Sequence, residues 1–486
     1  MSDTLVSGED RRQELFLPKM LDEYVEEDNE VRLIDAFVNS LDMKALGFKH
    51  AEPCGGAGRA PYDPRLLLAL FIWGYLNGIR SSRKLERECH RNLEVQWLLR
   101  KLAPDFKTIA DFRKDNVDRI KAVFKEFVKL CMSLDLFGGE FIAIDGVKIK
   151  AVNSIDRNFN QETLSNRLKK IDERVSKYIE EMERLDKQEE GAKDFLHEKI
   201  KKLRERKEEY SRLLKRLQES KENEVSLTDP DSRLMKNRGR VEPCYNSHVA
   251  VDSKNHLIVD YKVNNISSDQ NQLSSIAKSA KETLGVEKIE ATADRGFFDR
   301  IEIKKCVDDG VTPYVPDQRR YTVGLVKKTG IPTPKFYGDK FVYDKSTNTF
   351  VCPTGKRLEL WYSNTKKDGK RVGIYKTDAC FSCPFFLTKC TRNKYGRFIE
   401  RWEEEQIIED MRARMKLHPE KIDVRKEIVE HPFGTIKRAL NQGYVLVKGL
   451  RKVNGEVGFT MLAYNFRRAI NILGSSTLIA SISPLS

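Results

Sequence analysis

Apolar residues recur three and four positions apart through the first quarter of the chain, in LIDAFVNSL, LLLALFIWGYLNG and IKAVFKEFVKLCMSL. That period is helical, and it predicts a mostly helical segment over about residues 10–135. Pro61 and Pro64 bracket a helix start with Asp63 as its N-cap, and SSRKLEREC opens another helix behind Ser81 or Ser82. The short NGIRSS turn between them suits a helix-turn-helix reader of DNA, though an all-helical bundle supporting the rest of the chain has the same pattern. From Phe141 the period shortens. FIAIDGVKIKAV, NSHVAVDS and LIVDYKVNN predict three strands, SSDQNQLSSIAKSAKETLG a helix behind Ser268 or Asp269, KIEATADRGF a strand, RIEIKKCVDDG a helix and TPYVPD a last strand.

Two further segments interrupt this order. Leu164, Leu168, Ile171, Val175, Tyr178, Met182 and Leu185 repeat at spacings of four and three, and Leu196, Ile200, Leu203, Lys207, Tyr210, Leu214 and Leu217 do so again after Gly191. These are two a/d seams, each arm about 22 residues or about 33 Å long, with Lys207 alone breaking the apolar run. They predict a helical hairpin or coiled coil, either closed on itself or offered to a second copy. Residues 315–400 carry short β-like runs, KFVYDK, TFVCP, RLELWYS and VGIYKT, together with Cys352, Cys380, Cys383 and Cys390. One Cys-x-x-Cys pair and two further thiols suit a structural Zn²⁺, while reduced cysteines packing a small β subdomain remain the alternative.

At 486 residues the chain exceeds one core, so two or three domains are expected. It holds 40% hydrophobic and 33% charged residues, which describes a folded protein rather than a disordered one. There is no run of 18 apolar residues, and MSDTLVSGED lacks the pattern of a signal peptide. Nine scattered cysteines do not form a secreted disulfide framework, so an intracellular, cytoplasmic protein is expected, with no membrane partner. Lys plus Arg outnumber Asp plus Glu by 88 to 74, a net charge of +14. Met411–Lys452 alone has eleven basic and four acidic residues, which concentrates half of that excess around Glu430.

Three acidic neighbourhoods carry the chemistry: FIAIDGVKIKA around Asp145, IEATADRGF around Asp294 and VEHPFGTIKRA around Glu430. The first two place an Asp at the end of an apolar run, where it reaches the rim of a buried sheet. The third sets a Glu before Lys437 and Arg438. Oxygen-only donors suit hard divalent cations such as Mg²⁺ or Mn²⁺, and two such ions can clamp the attacking and leaving oxygens of a phosphodiester. No phosphate-binding G-x-x-x-x-G-K-[ST] loop is present.

In order, spacing and wording these neighbourhoods resemble the DDE transposases of bacterial insertion sequences. The resemblance extends through PYDPRLLLALFIWGYLNGIRSSRKLE, LTDPDSRLMK and KGLRKVNGEVGFTMLAYNFRRAINIL. It implies an α+β multidomain fold, with an all-α N-terminal domain and an RNase H-like core (a mixed sheet with helices) interrupted by the helical hairpin and the small β/Cys insertion. The implied layout is a DNA-binding domain over 1–135, core over 136–155 and 225–315, hairpin over 156–224, insertion over 316–400, core over 401–475 and a tail over 476–486. It also implies Asp145, Asp294 and Glu430 as the Mg²⁺ ligands for cleavage at element ends and strand transfer into target DNA, by a homodimer or higher oligomer on double-stranded DNA. Candidate DNA contacts are Arg80, Arg83, Lys84 and Arg87 near the N-terminus, Arg295, and Lys426, Lys437 and Arg438 near the glutamate. Around that glutamate the family has Tyr, Arg, Glu and Lys in sequence; here Asp423 stands at the Tyr position and Lys426 at the Arg position.

Alternatives stay open at this stage. Glu427 and Glu403 to Glu405 compete with Glu430, and Pro432 implies a kink or a helix start there. His248 reads more simply as a hydrogen-bonded strand residue, His431 as a turn residue and Asp231 as a turn or cap, while Arg295 pairs with an acid or contacts DNA. An inactive transposase-derived DNA-binding protein and a stand-alone RNase H-like nuclease are the competing functions.

Overall fold

The helical period of the first 135 residues becomes α1 (Glu30–Ser40), α2 (Pro64–Leu76), α3 (Ser82–Arg91), α4 (Leu93–Leu98), α5 (Phe106–Asn116) and α6 (Ile120–Ser133) in a computed structural model. The structure describes residues 20–52, 60–184, 190–219, 224–317, 336, 338–366, 369–391 and 393–482. Side-chain caps set the helix starts: Asn29 accepts from Val31 N, Asp63 from Arg65 N with Pro64 in the first turn, and Asp105 from Lys107 N and Thr108 N. Ser81 stands at the cap position of α3 but makes no cap bond through its side chain. From Leu67 to Leu76 every residue of α2 is buried, so this helix is core on all sides.

By packing, the described residues fall into two units. The first gathers those up to Asp269, Ser279–Glu287 and those from Glu427 onward; the second holds Gln270–Lys278 and Lys288–Lys426. In the first unit β5 (Arg240–Asp252) is the central strand. It pairs antiparallel with β1 (Phe141–Lys150) on one side and with β4 (Arg233–Asn237) and β6 (Ile258–Asn264) on the other. Against β6, α2 and α6 packs α13 (Leu450–Leu473), buried almost without interruption from Val453 to Phe466 and followed by α14 (Ser475–Ile482). Two helices of the N-terminal segment, α2 and α6, thus pack against the C-terminal helix α13.

Between β1 and β4, β2 (Asn158–Asn160) and β3 (Glu224–Ser226) pair antiparallel at the base of a hairpin of α7 (Gln161–Arg184) and α8 (Glu190–Glu219). The arms close on each other around Phe159, Leu164, Ile171, Tyr210, Leu217 and Val225, with Leu168, Val175, Leu203, Leu213 and Leu214 packed alongside. Lys207, which broke the predicted seam, reaches Asp172 across the hairpin at 2.6 Å. Leu185 lies outside the described residues.

In the second unit β7 (Ile289–Ala293) and β8 (Val311–Tyr314) run parallel, joined through α10 (Arg300–Asp308), which packs on β8 and on α11 (Glu405–Leu417). Arg300 and Lys304 of α10 meet Glu405 (2.6 Å) and Glu404 (3.2 Å). A separate antiparallel sheet follows in the order β13-β12-β11-β10-β9: β9 (Val342–Asp344), β10 (Thr349–Val351), β11 (Arg357–Thr365), β12 (Arg371–Lys376) and β13 (Ile399–Trp402). Its core is Phe341, Phe350, Leu358, Tyr375 and Ile399. Helices α9 (Leu273–Leu284) and α12 (Glu420–Arg438) each run from one unit into the other along the chain.

Close packing on α13 depends on two glycines. A Cβ at Gly455 would stand 2.1 Å from Val117 Cγ2 and 2.9 Å from the Val117 carbonyl oxygen, and one at Gly458 would stand 2.3 Å from the Tyr261 hydroxyl. Gly455→Ala is expected to lower unfolding free energy by about 1–3 kcal/mol through overpacking. Chemical denaturation checks this, and an unchanged midpoint would show that the helix can move away from Val117.

Candidate functional site

Asp145 sits at the fifth residue of β1, paired opposite Val249, not at the strand end expected from the apolar run. The strand continues because VKIK keeps alternating, so its backbone pairing with β5 extends to Lys150 and Cys244. The half-buried carboxylate accepts the Gly146 N–H at 2.7 Å. On the opposite side of the strand from Asp145 lies a polar cluster that was only partly foreseen. Asp269 Oδ1 accepts from Lys148 Nζ (2.9 Å) and Asn246 Nδ2 (2.8 Å) and lies 3.0 Å from His248 Nε2. His248 is wholly buried and also touches Asn246 and Asn264, the satisfied strand histidine that the sequence reading favoured. Burial raises the Asp269 carboxyl, but the hydrogen bonds from His248, Asn246 and Lys148 outweigh it and hold the group well below the usual carboxylate range. A Cβ at Gly146 would meet Asp269 Oδ1 at 3.0 Å, so the residue after Asp145 leaves room for this cluster. The alternation of G-V-K-I-K already placed Lys148 on the polar side; the partner 121 residues away gave no local signal.

Glu430 projects from α12 to solvent, while Ile428, Val429, Pro432 and Ile436 bury the other side of the helix. Pro432 neither starts nor ends this helix, which runs through it to Arg438. Lys426 is exposed one turn before Glu430, and half-buried Lys437 lies two turns after it, with its ammonium 5.7 Å from the Phe433 ring. Burial lowers the Lys437 pKa, Arg238 lowers it further and Asp145 opposes both. The Asp145 charge is thus felt at Lys437 within the first unit. His431 is not a turn residue: its Nδ1 lies 2.9 Å from the Tyr464 hydroxyl, which donates to the His256 carbonyl.

Asp294 follows β7 directly and caps the short 3-10 turn Arg295–Phe297, its Oδ1 accepting the Gly296 N–H at 2.7 Å. Phe297 anchors the turn in the core, and Arg295 is exposed. Of the competing glutamates, Glu405 is held by Arg300 and Arg412, Glu404 by Lys304, and Glu403 stands 3.9 Å from Arg371. Glu427 remains exposed on α12.

The proposed basic contacts divide sharply. Arg83, Lys84 and Arg87 are exposed on α3, with the Arg83 guanidinium 5.0 Å from the Phe106 ring. Arg80 is withdrawn from the DNA-facing set: it is 3% exposed and donates to Glu456 (2.9 Å), Gln442 (3.1 Å) and the Tyr444 carbonyl (2.8 Å). In the basic segment, Arg412, Lys421 and Arg451 are tied to Asp317, Glu290 and Asp118, whereas Lys426, Arg438, Lys448 and Lys452 are exposed. Asp231 caps α13 by accepting Leu450 N at 2.8 Å, and Asp229 accepts Gly449 N at 3.0 Å.

Cys352, Cys380, Cys383 and Cys390 line one cavity of about 30 Å³. Among the described residues, no group of three or more His, Cys, Asp or Glu is arranged to hold a metal ion, so the structure contains no ready-made cage of thiols or carboxylates. Nor is any described helix long and apolar enough to cross a membrane.

Residues 19–115 match the family model "Transposase domain (DUF772)" and residues 351–470 match "Transposase DDE domain". The second match contains Glu430 and begins inside the segment expected as an insertion. No curated protein matches the chain. Among solved structures, a piggyBac transposase synaptic complex with hairpin DNA aligns at 8% identity and a TM-score of 0.30, over 94% of this chain and 79% of that one. The two matched domains support a DDE-type transposase of an insertion-sequence family. A DDE domain implies use of a divalent metal in general.

Two outcomes are expected from the geometry. A depressed carboxyl pKa contributes stability that is complete above the ordinary carboxylate value of about 3.9 and declines as pH falls below it. Asp269→Asn should therefore flatten the acid limb of a stability-against-pH curve measured by thermal unfolding; an unchanged limb would mean that the cluster does not couple to folding. Arg80→Ala should cost about 3–5 kcal/mol by stranding a buried carboxylate, and leave the salt dependence of DNA binding as it was. A lower salt slope with unchanged stability would return Arg80 to the DNA surface.

Proposed function

We propose that the chain cuts DNA at the ends of its element and joins the freed ends to target DNA, with Asp145, Asp294 and Glu430 as the acids of an RNase H-like core. What supports this reading is the half-buried Asp145 carboxylate on β1, oriented by the Gly146 N–H, with Lys437, seven residues after Glu430 on α12, in its field. Three antiparallel strands, then helix, strand, helix and parallel strand support the fold.

The donor chemistry fits a hard divalent cation, since all three candidates offer carboxylate oxygen and no sulfur or imidazole. Mg²⁺ or Mn²⁺ bound there would lower the pKa of a coordinated water and neutralise charge on the scissile phosphate. The chain's own part is positional. The Gly146 and Gly296 N–H groups each hold one oxygen of an aspartate, which fixes the direction of the carboxylate. Lys437, whose charge is disfavoured by burial, regains a partner when a phosphate oxygen arrives. Lys426 and Arg438 extend the cationic path along the same helix, and Arg83, Lys84 and Arg87 form a second, exposed contact on α3 for double-stranded element ends. A dimer or larger assembly would hold two ends together.

Asp145→Asn, Asp294→Asn or Glu430→Gln should each abolish Mg²⁺-dependent cleavage of a duplex carrying the element's inverted repeat while retaining DNA binding. Full cleavage by any of the three variants would remove that residue from the set. Lys437→Ala should reduce the magnitude of the log K against log salt slope by about 0.9, one phosphate contact. A strand-transfer assay that yields cut but never joined product would instead support a nuclease.

A further inference from the structure

We propose that Cys352, Cys380, Cys383 and Cys390 bind one Zn²⁺ as four thiolates, and that the metal completes the lobe built on β9 to β13. Three observations carry this. Sulfurs from two separated stretches of chain, at 352 and at 380–390, converge on one cavity of about 30 Å³. Four tetrahedral Zn–S bonds of about 2.3 Å would draw them together, since metal sites in small lobes commonly form only as the ion binds. Cys352 already has the local geometry of a ligand: its sulfur accepts the Lys356 N–H at 3.3 Å and lies 3.0 Å from Thr354 Oγ1, inside a turn closed by Gly355 N on the Cys352 carbonyl.

The second observation is what the lobe lacks. Between β12 and β13 the described residues form turns and one short 3-10 segment, Asp378–Cys380, and Phe381, Leu387 and Tyr395 are 58%, 51% and 65% exposed. So little burial leaves that stretch in need of a staple. The third is charge. Arg397 lines the same cavity, with its guanidinium 5.3 Å from the Phe341 ring, and would offset part of the net −2 of a tetrathiolate zinc centre. Binding releases the thiol protons and changes no oxidation state.

The test needs no DNA, so its outcome is separate from the fate of the transposition reading. Full-length protein purified under reducing conditions without chelator should contain about one zinc per chain. Exchange for Co²⁺ should produce thiolate-to-cobalt absorption with tetrahedral d–d bands. A Cys380→Ser/Cys383→Ser double variant should lose both signals. If that variant fails to fold, the wild type still decides: four thiols should be shielded from a thiol reagent until a zinc chelator is added. Protein with no zinc and no cobalt absorption, or with four thiols that react at once, overturns the proposal, as does metal retained by the double variant.

Discussion

A single buried carboxylate organises the first unit. Glu456 lies on the most enclosed part of α13 and accepts from Arg80, from Leu446 N and from Val447 N. Arg80 comes from the turn between α2 and α3, and the two N–H groups belong to the segment leading into α13. One acid therefore satisfies charge and backbone from two other places in the chain. That same segment is bonded to the end of β1, through Lys150 N to the Gly443 carbonyl and Val445 N to the Lys150 carbonyl. The strand that carries Asp145 and the loop that follows α12 are thereby held by one core residue. Removing an ion from such a pair costs far more than exchanging an exposed one, because the partner left behind is a charge held away from water.

Around that frame, different demands fall on the two sides of β1. Asp145 is half-buried, and its charge opposes the burial that disfavours the charged form of Lys437. Across the strand, Lys148, Asn246 and His248 converge on Asp269 Oδ1, which anchors that face of β1 and β5.

The order of strands and helices was legible because it rests on local periodicity. The alternation in FIAIDGVKIKAV and the three-four spacing in IKAVFKEFVKLCMSL both became the elements they predict. The hairpin was legible for the same reason, including the exception at Lys207, which finds Asp172. What escaped were partners distant in the chain. Arg80 looks like a surface cation in GIRSSRK, and only a glutamate 376 residues later makes it a core residue. His431 read as a turn residue, yet the helix runs through it and through Pro432 to Arg438. The three acids were recognisable as a set through family resemblance; as single residues, Asp294 is also an ordinary turn cap. The packing of α2 and α6 on α13 also gave no local signal, since an amphipathic pattern says that a helix needs cover but not which part of the chain provides it.

The pairing of Asn158 with Ser226 at the foot of the hairpin has an evolutionary meaning. Chain enters and leaves this module through two residues side by side, and Leu227 N closes the neck on the Arg157 carbonyl at 3.0 Å. The hairpin has its own core, so its length is uncoupled from the sheet that supports it. Descendants of this gene can therefore gain or lose whole turns of α7 and α8 together, or exchange the module for a short link, while β1 and β5 keep their register.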